Sequence, residues 1–168
     1  MPDSATTRVE ALTRHLSTTP ASPTSTSTST AMASETPQKP PITCHVLDTT
    51  LGRPAPNIPV TLTLHASPST SASSLSTFSA TTNADGRVTA WTPSTPFSAT
   101  SLSSLFNLPE DQTYSLTFNT AEYFGSRNIK AFFPEVQVKF LVRAEAKQEH
   151  YHVPVLLGPF GYTTYRGS

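Results

Sequence analysis

Charge is scarce in this chain. Only 13% of the 168 residues are charged, and eleven Lys and Arg balance eleven Asp and Glu. No stretch concentrates Lys and Arg, so neither a nucleic acid nor an anionic membrane surface has an electrostatic footprint to rest on. The single cysteine, Cys44, excludes an internal disulfide and fits a reducing compartment or a peroxisome as well as any other place. No apolar run approaches the roughly 20 residues needed to cross a bilayer, and the first residues lack the apolar core of a secretory signal.

What the chain has instead is 16 prolines and crowded serine and threonine. Residues 17–40, STTPASPTSTSTSTAMASETPQKP, hold almost no aromatic or β-branched aliphatic side chains. Such a stretch cannot bury enough surface to offset its ordering entropy and is expected to be a disordered linker. In front of it, Arg8, Val9, Leu12, His15 and Leu16 of RVEALTRHL fall at helical spacing on one face. Arg, an aliphatic residue, five others, then His-Leu resembles a type 2 peroxisomal targeting signal, which implies a peroxisomal import receptor as partner. The alternatives are an accidental amphipathic stretch in a cytoplasmic protein and a mitochondrial presequence, the latter opposed by Asp3 and Glu10. Residues 1–40 therefore read as a tail and 41–168 as the folded domain.

Beyond residue 41 the dominant signal is period-two alternation. Ile42, Cys44 and Val46 oppose Thr43, His45 and Leu47, and Val60, Leu62 and Leu64 oppose Thr61, Thr63 and His65. Tyr114, Leu116 and Phe118 repeat the pattern, as do Val136, Val138, Phe140 and Val142. Finally Tyr151, Val153, Val155 and Leu157 oppose His150, His152, Pro154 and Leu156. Strands of this kind, punctuated by Pro, Gly and Ser, predict an all-β fold, an antiparallel β-sandwich. One short helix is expected over residues 120–127, TAEYFGSR, with Thr120 as cap, an acid in the first turn and Gly near the stop. The Ser-rich run from Ala66, ASPSTSASSLSTFSA, reads as an enlarged loop or frayed strand extension. The segment from Pro93, PSTPFSATSLSSLF, reads as a cover for a sheet edge or a piece packed on the sandwich.

Two histidines stand out because each projects from the face opposite a core stripe, beside apolar neighbours: His45 with Leu47, and His152 with Pro154 and Leu156. A lone histidine is more often a surface or structural residue. A pair on semi-apolar outward faces points to a surface half-buried against another subunit. Imidazole suits proton abstraction, its ordinary pKa of about 6.5 lying near working pH. Arg87 follows Asn83-Ala84-Asp85-Gly86, a tight-turn signal, and starts the strand that leaves it. It is either a solvated post-turn arginine or a planar donor fork for carbonyl and enolate-like oxygens. His150 shares the face of His152, so His45, His150 and His152 also admit a three-nitrogen zinc site.

Three motifs in order decide among these: ITCHVLDTTLGRPA near residue 42, TNADGR near residue 82, and the tail HYHVPVLLGPFGYTTYRGS ending in Tyr165-Arg166-Gly167-Ser168. Residues 41–168 thereby resemble the 5-hydroxyisourate hydrolases, enzymatic relatives of transthyretin that end in this tetrapeptide whereas the hormone carriers lack it. The resemblance implies a transthyretin-like sandwich, a homotetramer with sites where dimers meet, and a hydrolase that uses no cofactor and no metal. It places catalysis on His45, Arg87 and His152, with Ser168 orienting the water or a histidine, and substrate binding on His45, Arg87, Tyr165 and Arg166. The implied reaction opens 5-hydroxyisourate to 2-oxo-4-hydroxy-4-carboxy-5-ureidoimidazoline in urate catabolism. Departures are small: Cys44 stands for a Thr or Ser, Gly158 for a Ser, and Thr163 for a Ser. The remaining rivals are a transthyretin-like carrier without catalysis, the zinc hydrolase, and a purely structural sandwich.

Overall fold

The computed structural model describes residues 39–65, 75–95 and 100–168. The expected targeting signal, and all but the last two residues of the linker, lie outside these, as does the first part of the Ser-rich run. Among the described residues the strands are β1 (Ile42–Asp48), β2 (Arg53–Pro54), β3 (Pro59–Leu64), β4 (Ser76–Thr81), β5 (Arg87–Val88), β6 (Thr92–Pro93), β7 (Gln112–Phe118), β8 (Val136–Val142), β9 (Tyr151–Gly158) and β10 (Gly161–Thr164). One sheet runs β10-β9-β1-β2, with β5 also paired to β1, and the other runs β6-β4-β3-β7-β8. This is the two-sheet sandwich the alternation predicts, and the stripes named from sequence are its core. Ile42, Cys44, Val46, Leu62, Tyr114, Leu116, Phe118 and Val142 are fully buried in one cluster, each large apolar side chain contributing about 1.5–3 kcal/mol.

One pairing departs from the antiparallel expectation: β1 and β9 run parallel, in a register that sets Thr43 against His152 and His45 against Pro154. Parallel neighbours need a long crossover, and here the whole second sheet lies between them in sequence.

Among the described residues of the domain two short α-helices occur where one was expected. The expected one, α2 (Thr120–Gly125), is capped by Asn119 and not by Thr120: the Asn119 side chain accepts from the Glu122 amide, while the Thr120 hydroxyl donates to the Phe133 carbonyl at 2.5 Å. The other, α1 (Leu102–Phe106), comes from the segment after Pro93 and buries Leu102 and Phe106. Phe106 meets Tyr151 edge to face, 6.0 Å between centroids, so α1 closes one end of the sandwich over the aromatic side chains of β7, β8 and β9. The run from Ala66 also ends in more than a frayed extension, since β4 pairs with both β3 and β6 and buries Phe78.

Candidate active site

The outward face of the first sheet carries every functional side chain that alternation placed opposite the core. On β1 these are Thr43 and His45, on β9 His152, and on β5 Arg87, which is the direct neighbour of His45. Arg87 reaches that register through a tight turn. Gly86 has φ +69 and lies so close to β1 that a Cβ there would stand 2.3 Å from the Val46 carbonyl oxygen, a position open only to glycine. The Asn83 side chain accepts from the amides of Asp85 and Arg87, at 3.0 and 2.9 Å, and closes the turn.

A hollow of about 240 Å³ opens on this face, lined by Lys39, Thr43, Arg87, His150, His152 and Ser168. His45 does not line it, but follows Thr43 by two residues on β1 and pairs in register with Arg87, which does. Burial, then the Arg87 charge, hold the His45 imidazole below its ordinary value, against a backbone hydrogen bond at Asp85 that pulls the other way. Burial likewise lowers His152, reinforced by the charges of Arg87, His150, His45 and Lys39. Both imidazoles are therefore neutral near pH 7, as a general base must be.

The tail folds back over this face. Gly167 bridges to His152, its amide donating to the His152 carbonyl at 2.9 Å, and this brings Ser168 into the hollow. Arg87, His152 and Ser168 thus share one hollow within one protomer, with His45 beside Arg87 on the same sheet face. Tyr165 and Arg166 do not join them there. They line a larger hollow of about 300 Å³ together with Val138, Phe140, Arg143 and His152, the last of which lines both hollows. Arg166 pairs with Glu149 and lies over the Tyr151 ring, 5.1 Å from its centroid. Within a protomer Arg166 and Ser168 line different hollows, with His152 common to both.

Sequence reasoning passed over Thr43. It lies on the same strand face as His45, yet only the β1–β9 register reveals that its hydroxyl meets His152 Nδ1 at 2.8 Å and His150 Nε2 at 3.1 Å. With those two nitrogens engaged by one hydroxyl, the three histidines do not converge on a common point. Among the described residues no three His, Cys, Asp or Glu side chains are placed to hold a metal ion. Cys44 offers no nucleophile: its side chain is in the core and burial pushes its thiol up to about 12, outweighing a backbone hydrogen bond at Val88.

Residues 42–167 match the profile of the HIUase/Transthyretin family. The chain is 40% identical over 133 residues to a Schizosaccharomyces pombe protein named "Probable 5-hydroxyisourate hydrolase", covering 79% of this chain and 94% of that one. It is 37% identical to the mouse 5-hydroxyisourate hydrolase, covering 76% and 95% of the two chains. The solved structure of the Klebsiella pneumoniae 5-hydroxyisourate hydrolase superposes with a TM-score of 0.50 at 28% identity, over 76% of this chain and 98% of that one. Fold, tail and relatives agree over the same three quarters of the sequence, and the chain belongs to the HIUase/Transthyretin family.

Proposed function

We propose that this protein hydrolyses 5-hydroxyisourate to 2-oxo-4-hydroxy-4-carboxy-5-ureidoimidazoline, a step of urate degradation, and that the hollow beside His45, Arg87, His152 and Ser168 is where it does so. The observation that carries the siting is geometric: His152, Arg87 and Ser168 line one hollow, and His45 pairs with Arg87 on the same sheet face. A ring amide is opened by adding water to its carbonyl carbon. His45 and His152 hold the water and one of them takes its proton. The carbonyl oxygen gains the negative charge, which the Arg87 guanidinium stabilises through its fixed fork of N–H donors. As the tetrahedral adduct collapses the ring C–N bond breaks, and the imidazole returns its proton to the departing nitrogen. The carboxylic acid so formed ionises to a carboxylate, a better partner for Arg87 than the neutral amide it replaces. A ligand carrier would have no use for two uncharged bases beside a cation.

We further assign a homotetramer, supported by what the protomer leaves uncovered. Strands β8 and β10 are each one edge of their sheet, and Leu156, Tyr162 and Phe160 are exposed beside β10, a concentration that favours burial against another copy. Residues 1–20 are assigned as a peroxisomal address on the strength of Arg8, Val9, His15 and Leu16. A reporter carrying them should enter peroxisomes, and diffuse signal that ignores replacement of Arg8 and His15 would remove that assignment.

The activity is tested by generating 5-hydroxyisourate with urate oxidase and following its ultraviolet signal. The signal should decay faster with the protein present, and an unchanged decay would refute the reading. Light scattering should return four times the protomer mass.

A further inference from the structure

The hydroxyl of Thr43 has one proton to give and lone pairs with which to accept, and it sits between two imidazole nitrogens that could each play either part. Its geometry is fixed. Thr43 is only 5% exposed and is the register partner of His152 in the parallel β1–β9 pairing, while the two rings stand nearly parallel, 17° apart with centroids at 6.1 Å. Two proton arrangements satisfy the contacts. In the first, His152 Nδ1–H donates to Thr43 Oγ1, whose own hydrogen goes to His150 Nε2. In the second, every bond is reversed, His150 Nε2–H donates to Thr43, and Thr43 donates to His152 Nδ1.

The arrangements differ in what they leave at His152 Nε2, which makes no hydrogen bond among the described residues. The first leaves a lone pair there, the second an N–H. Arg87 and Lys39 line the same hollow as His152, and both set positive charge against its ring. A nitrogen facing that much positive charge is better placed presenting a lone pair than the positive end of an N–H dipole. The far end of the chain agrees, since His150 lines a second hollow of about 320 Å³ with Lys147 and Glu149, where its Nδ1–H can be solvated.

We infer that Thr43, backed by His150, is a positioning residue that holds His152 as the Nδ1–H tautomer and so presents its Nε2 lone pair to the reacting water. The inference rests on the hydrolase reading above and assigns His152 as the base within it. The logic is that of a buried acceptor orienting a catalytic histidine, with a hydroxyl–imidazole pair in the place of a carboxylate.

The test pairs Thr43→Val with Thr43→Ser and adds His150→Leu, using 15N-labelled full-length protein. Imidazole 15N shifts report the tautomer without substrate, so this readout stands or falls separately from the activity on 5-hydroxyisourate. Wild type should show a protonated Nδ1 and a bare Nε2 on His152 at neutral pH. Thr43→Val should lose that bias and lower kcat by roughly 10–100-fold with KM held within twofold, Thr43→Ser should restore both, and His150→Leu should weaken both in the same direction. An Nε2–H tautomer in wild type would overturn the inference, as would full kcat in Thr43→Val or an unaltered His152 tautomer in Thr43→Val and His150→Leu alike. An inactive wild type with the expected tautomer would instead refute the hydrolase reading.

Discussion

Gly167 crosses His152 so closely that a methyl group added to it would stand 2.7 Å from the ring's Cδ2 and 3.0 Å from Cγ of Pro154. No real Cβ tolerates such contacts, so the tail or the imidazole must move. The glycine of Tyr165-Arg166-Gly167-Ser168 therefore serves close approach, bringing Ser168 to the hollow while pinning one side of the His152 ring. Gly167→Ala should cost on the order of 100-fold in kcat/KM, the usual penalty for a displacement of about 1 Å at a reacting group. Its melting temperature should change little, because the segment adds only one bridge to the sheet. Steady-state kinetics with thermal unfolding checks this, and equal activity would free the tail from the site.

Removing the groups assigned to chemistry should be costlier. His152→Ala and His45→Ala should each reduce kcat by about 10²–10⁴-fold, the range for a positioned acid or base. Arg87→Lys should recover only part of the activity lost in Arg87→Ala, because an ammonium keeps the charge but not the planar fork. All four proteins should fold, since His45 and His152 are half-buried and Arg87 is exposed, outside the core. Full activity in either histidine variant would remove that residue from the mechanism.

The same environment fixes the pH response. Burial and nearby positive charge lower both imidazoles, so the base stays neutral to a lower pH than an ordinary histidine would. The acid limb of kcat/KM should fall below pH about 6.5, and Arg87→Ala, which removes a cation felt by both rings, should shift that limb upward. Stability follows the same sign. The unfolded chain takes up protons first, so the contribution of these residues is complete above about 6.5 and declines as pH falls through their folded values. A limb above 7, or one that Arg87→Ala leaves in place, would contradict the electrostatics.

Alternation alone disclosed the five longest core stripes and the outward placing of His45 and His152, because side-chain direction in a strand is a local property. Pairing is not local, and there the sequence fell short. The parallel register of Thr43 with His152, separated by more than a hundred residues, is set by how the sheets stack and not by either strand's pattern. The segment of α1 reads as a piece packed on the sandwich, and Phe106 does pack on Tyr114 and Tyr151, but its Ser-rich sequence does not announce the helix that carries it. Arg166 shows the converse limit. The motif named it, yet in the protomer it pairs with Glu149 and shares a hollow with His152 without reaching the one that Ser168 lines.

Asp48 is the other residue whose importance no local pattern announced, a carboxylate at the end of β1 with no exposure at all. Its Oδ2 accepts from Arg127 at 2.7 Å and from the Tyr123 hydroxyl at 2.9 Å, and its Oδ1 from the Thr50 amide at 2.8 Å. Arg127 lies 4.4 Å over the Tyr123 ring, and the bonds of both residues to Asp48 tie α2 to the first sheet. Burial pushes the carboxyl up, but the hydroxyls of Thr50 and Tyr123, the Thr50 amide and Arg127 together outweigh it and hold it below the usual carboxylate range. Asp48→Asn leaves the guanidinium without its counter-ion and should cost about 3 kcal/mol. The depressed pKa gives the pH signature: wild-type stability from this group is complete above about 3.9 and lost as pH falls through the lower folded value. Denaturant unfolding at several pH values should therefore show the gap between wild type and Asp48→Asn narrowing below pH about 4. A constant gap would mean that the bonds to Asp48 do not depend on its charge.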